Sequence, residues 1–110
     1  MKTIWPGSSA RAHVRSKYLR SIERAGHQRE RHGKAQAAIE LYLRNLELEP
    51  LTETIYRRLM LCYAQEAPKA DAIDAYRRCE HMLSVVLGVK PSADTDALCA
   101  SLTRAGASPN

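Results

Sequence analysis

Ala38, Ile39 and Tyr42 recur as Ala72, Ile73 and Tyr76, an offset of 34 residues. A repeat of that length holds two helices and their turn, a hairpin that cannot bury its apolar face alone and so stacks on a neighbour. The same shift sets Ile22 over Tyr56 and Ala25 over Leu59, so both helices of each unit keep the register. Ala38 and Ala72 belong where the two helices of a hairpin come closest, and Tyr42 and Tyr76 fill the space toward the next unit, each with a hydroxyl that can reach the edge. A chain built this way is expected to hold partners rather than to do chemistry.

The composition supports an all-α fold. The 110 residues make one domain with a modest core. There is no Phe, one Trp and few Gly or Pro, and 45% of the residues are apolar. Leu, Ala, Arg and Glu dominate, a balance that favours helix on intrinsic propensity. Cys62, Cys79 and Cys99 lack the spacing of a metal or redox pair, and the first two sit in apolar helical contexts where a free thiol packs as a small hydrophobe. A reducing cytoplasm fits that usage. No apolar run is long enough to span a membrane, so no membrane partner is expected.

Along the chain, residues 1–8 read as a lead-in, with Trp5-Pro6-Gly7 unable to continue a helix and Ser8 or Ser9 placed to cap the first one. That helix is expected over about Ala10–Glu30, with Val14, Tyr18, Ile22 and Ala25 as its buried seam. Gly26 interrupts it at a cost of about 1 kcal/mol relative to Ala, unless another backbone must approach closely there. After a turn at Gly33, the second helix runs over about Lys34–Glu49, with Ala35, Ala38, Ile39, Tyr42 and Leu46 inward. Pro50 is placed at the first position of a third helix ending near Glu66, with Ile55, Tyr56, Leu59, Met60 and Tyr63 on its seam. Pro68 is read as opening the fourth, whose stripe is Ala72, Ile73, Tyr76, Cys79, Leu83 and Leu87. Gly88 suits the left-handed end of that helix, and Ser92 caps a final helix with Asp94 and Asp96 in its first turn and Leu98 and Leu102 inward. Residues 105–110 read as a flexible tail.

Charge is uneven. From Arg11 to Lys34 eight basic residues face Glu23 and Glu30, whereas from Ala35 onward eight basic residues face ten acidic ones. The first helix is a basic arm that could attract nucleic acid or an acidic protein surface. The four histidines, His13, His27, His32 and His81, form no i, i+4 pair and lie at no ligand spacing from a Cys, so no metal site is expected. There is no phosphate-cradling glycine motif and no nucleophile–base constellation. Neither catalytic residues nor a cofactor are assigned.

One stretch is more specific. Leu48-Glu49-Pro50-Leu51-Thr52-Glu53 is followed by Tyr56-Arg57-Arg58-Leu59-Met60, then by Ala72-Ile73-Asp74-Ala75-Tyr76-Arg77-Arg78-Cys79, Leu83, Leu87-Gly88-Val89-Lys90-Pro91-Ser92 and Thr95-x-x-Leu98. From about Val14 to Leu102 the chain thereby resembles the bacterial transcriptional activator domain, a tetratricopeptide-like module of large bacterial regulators. The family usually carries a Gly between its third and fourth helices, where this chain reads Gln65-Glu66-Ala67-Pro68-Lys69.

The resemblance implies antiparallel hairpins stacked as a right-handed superhelix of about five helices, with residues 9–104 as the domain. It implies a cytoplasmic module that relays activation by docking to regulator domains, to the transcription machinery or to a second copy. DNA would be reached through an adjoining domain, this chain being the terminal piece of a regulator. In such stacks the first helix of each unit lines the concave groove. That places Arg20, Glu23, His27, Glu30 and Arg31 there from unit one, with Thr54, Arg57, Leu61, Ala64 and Gln65 from unit two. Direct nucleic-acid binding through the basic first helix is the rival reading, without a helix-turn-helix signature to support it.

Overall fold

Five α-helices follow one another in antiparallel order through residues 6–66 and 69–107, which this computed structural model describes. They are α1 (Pro6–Arg31), α2 (Ala35–Leu48), α3 (Glu53–Glu66), α4 (Lys69–Met82) and α5 (Ala93–Ala107), with a π-helical turn over Leu83–Leu87 closing α4. Each helix packs on the next in sequence, and α5 also touches α3. The all-α hairpin stack expected from the 34-residue repeat is the observed architecture.

The turns follow from backbone chemistry. Gly33 sits at φ 72°, with its N–H on the Glu30 carbonyl and the Lys34 N–H on the Arg29 carbonyl, so the last carbonyls of α1 are satisfied as the chain reverses. Gly88, at φ 68°, ends the π-helical turn in the same way, the Val89 N–H reaching the Leu83 carbonyl. Ser92 caps α5, its hydroxyl accepting the Thr95 N–H at 3.4 Å.

The core forms where the apolar stripes of α2, α3 and α4 meet. Ala35, Ala38, Ile39, Tyr42 and Leu46 are buried, as are Ile55, Tyr56, Leu59, Met60 and Cys62, and then Ala72, Ala75, Cys79 and Leu83. Tyr63, Tyr76, Leu98 and Leu102 pack at its margin. Ala38 and Ala72, the small residues of the repeat, are 0% and 1% exposed. At Gly26 an added Cβ would stand 2.5 Å from the Tyr42 ring, so this glycine exists to let the tyrosine in.

Several expectations are corrected. α1 begins at Pro6 rather than near Ala10, because proline is tolerated in the first turn, where its missing N–H has no helical acceptor. Trp5 and the rest of residues 1–5 lie outside the described residues, as do Pro68 and residues 108–110. α5 continues through Ala107, into the segment expected to be a tail. Pro50 lies in the connection before α3: Thr52 donates its hydroxyl to the Glu49 carbonyl and accepts the first helical N–H groups, so the helix starts at Glu53.

Val14 and Tyr18 are exposed, although the seam they belong to is buried at Ile22: the last residue of α2, Leu48, lies beside Arg15, and its cover thins toward that end. Leu87 is exposed while Leu83 is buried, since the wider π turn rotates the stripe off its face. The Tyr42 hydroxyl turns back to α1 instead of toward the next unit, whereas that of Tyr76 does reach onward to Asp96 of α5, at 2.7 Å.

Candidate partner-binding surface

Two polar clusters tie the helices together, and they decide which of the expected groove residues remain available. In the first, Glu30 at the end of α1 receives the Tyr42 hydroxyl from α2 and a two-pronged contact from Arg58 of α3. Arg58 donates through Nε at 3.1 Å and through Nη2 at 2.7 Å, so both carboxylate oxygens are engaged. Burial, and then the bond to Glu30, push the Tyr42 phenol well above its ordinary range, keeping it a donor.

In the second cluster, Glu53 at the start of α3 reaches the N-terminus of α5. Its carboxylate accepts the Ser92 N–H at 2.6 Å and the hydroxyl of fully buried Thr95. Arg57 donates to that same Thr95 hydroxyl at 2.8 Å and lies 3.9 Å from Glu53. Burial alone would raise the Glu53 carboxyl, but the Thr95 and Ser92 hydrogen bonds and the Arg57 charge outweigh it and hold it below its ordinary value.

Of the ten expected groove residues, Glu30 and Arg57 are therefore occupied by internal ties. Arg20, Glu23 and His27 come together with Arg24 around one shallow depression on α1. His27 faces the Tyr42 ring edge-on at 6.1 Å, and its buried Nε2 has no hydrogen-bond partner among the described residues. Arg31, Thr54, Ala64 and Gln65 are exposed and Leu61 is half-buried. Sequence spacing offered a hint of the second cluster, since Glu53 and Arg57 are four apart on one helix face. Nothing local marks Ser92 and Thr95 as their partners, about forty residues away along the chain.

Two surfaces lie outside the groove expectation. Leu43, Tyr56, Leu59 and Tyr63 line a small cleft among α2, α3 and α4, with Asp71, Asp74 and Arg78 around it. At one end of the stack, Val85, Val86, Leu87 and Val89 are half-exposed or more, as are Val14 and Tyr18 on α1. Cys62 and Cys79 are buried free thiols pushed by desolvation up to about 12, and Cys99 is half-buried.

A stack of helical hairpins fastened by side-chain ties between nonadjacent segments is a helical-repeat scaffold. The family model of the bacterial transcriptional activator domain matches residues 6–103. The chain belongs to that family, and so is a module of bacterial transcription regulation. No curated protein and no solved structure matches it. Among the described residues, no helix is long and apolar enough to cross a membrane.

Proposed function

We propose that the domain is a non-catalytic docking module. It holds a protein partner (an adjoining regulator domain, the transcription machinery or a second copy) in the cytoplasm and relays activation through that contact. The observation that carries this reading is the division of labour among its side chains. Glu30, Arg58, Glu53, Arg57 and Thr95 are spent on fixing helices to one another, while apolar and cationic side chains of α1 are left facing solvent. Thiols held protonated by burial are poor nucleophiles, which supports the absence of catalysis.

Direct nucleic-acid binding is favoured by one observation, the exposure of Arg11, Arg15, Lys17 and Arg20 along α1. Titrating the chain against purified bacterial RNA polymerase, against duplex DNA and against itself, from about 50 to about 200 mM salt, separates the readings. Docking is expected to give saturable binding to protein with shallow salt dependence. Tight duplex binding that collapses over that salt range, with no protein binding, would replace the proposal.

A further inference from the structure

The face of α1 that packs on α2 continues past the end of α2. At 1.5 Å per residue the 26 residues of α1 span about 39 Å and the 14 of α2 about 21 Å, leaving roughly 18 Å of α1 without that neighbour. Arg15 marks the boundary, its guanidinium donating to the carbonyl of Leu48, the last residue of α2. Exposure rises along the seam toward and past that boundary: Ile22 is 6% exposed, Tyr18 48% and Val14 64%. Val14 and Tyr18 line one continuous depression with Arg11, Ala12 and Arg15.

The lining of that depression carries two cations, Arg11 and Arg15, and no carboxylate, with Glu49 3.8 Å from Arg15 at its edge. Along α1, Arg11, Arg15, Lys17 and Arg20 all precede the first carboxylate, Glu23. We infer that the α1 overhang is the docking site for an acidic amphipathic helix of a partner protein. That helix lies along α1 in continuation of α2, with apolar side chains on Val14 and Tyr18 and carboxylates beside Arg11 and Arg15. The inference rests on the docking reading above and gives it a place and a partner chemistry.

Charge selects the occupant. The overhang of a second copy would bring Arg11 and Arg15 against their like, which disfavours self-pairing along this face. Duplex DNA would satisfy the guanidiniums but leave the aliphatic face of Val14 without apolar contact. A helix with apolar residues at i and i+4 flanked by Glu satisfies both.

The test uses the full chain and a fluorescent synthetic helical peptide with Leu at i, i+4 and i+7 bordered by Glu, read by anisotropy. A scrambled peptide of the same composition and a version with Lys for Glu serve as controls. Both controls are expected to bind at least about tenfold more weakly, and the double variant Val14→Ser, Tyr18→Ser to lose about tenfold for the original peptide. Its melting temperature should fall only slightly, since Val14 is mostly exposed and Tyr18 half-exposed. Arg11→Glu should weaken the original peptide and strengthen the Lys version.

Equal binding of the scrambled peptide, or no loss in the double variant, overturns the inference. So does tighter binding of duplex DNA than of the peptide, or a self-association that the double variant abolishes without any peptide binding. If polymerase or self-association binding survives in the double variant, the module docks through another face, and the docking reading stands while this inference falls.

Discussion

Tyr42 is the side chain on which the first hairpin closes. It is fully buried, its ring lies where a side chain at position 26 would be, and its hydroxyl shares Glu30 with Arg58. Gly26→Ala would gain about 1 kcal/mol in helix propensity but forces a carbon into the ring, an overpacking cost of about 1–3 kcal/mol. A lowered thermal midpoint is expected, and Tyr42→Leu combined with it should restore part of the loss. Glu30→Ala removes the acceptor of three donors at once and should cost about 2 kcal/mol in denaturant unfolding. The thiols give an independent check: in the native protein Cys99 should alkylate first, while Cys62 and Cys79 react only on unfolding.

At this scale much of the arrangement was hidden in the sequence. The burial of Tyr42 was legible from its place in the repeat, but at Gly26 the expected close approach was of a backbone, and it is the Tyr42 ring that arrives. That the hydroxyl turns back to Glu30 was not, because it depends on where Arg58 arrives from a third helix.

At the scale of elements, the fastening of α5 is the feature most open to measurement. Glu53 accepts from Ser92 and Thr95 and so joins the start of α3 to the start of α5. Its carboxyl titrates lower in the folded chain than its ordinary value of 4.5. The stabilisation it supplies is therefore complete above about pH 4.5 and is lost as pH falls through the lower folded value. Glu53→Gln should melt below wild type at neutral pH, and the gap should close on acidification below about pH 4.5, as followed by circular dichroism. A gap constant with pH would mean that the carboxylate charge contributes nothing to holding α5.

Helix α2 and the end of α3 were readable almost to the residue because their apolar positions repeat cleanly and polar turns bound them. The misread places, Pro50 and Leu87, sit where a cap or a π turn competes with periodicity. Thr52 delays the start of α3, and the added residue in the π turn swings Leu87 out.

At the scale of the whole molecule, the repeat sets up a stack in which Ala38 and Ala72 are both buried, and either one changed to Leu should lower stability by about 1–3 kcal/mol. The stack was legible because a period survives in sequence. The exposed end of the α1 seam was not, since Val14, Tyr18 and Ile22 make one unbroken pattern in sequence and only the packing shows where burial stops. The body from Glu23 onward is electrically balanced, whereas the start of α1 is cationic and leaves Val14 and Tyr18 exposed. Chemical-shift mapping of the labelled chain with the acidic helical peptide tests that division most directly. Perturbed amides should cluster between Arg11 and Ile22, with Thr54–Gln65 unmoved; shifts concentrated on α3, or none along α1 at saturation, would contradict docking along α1.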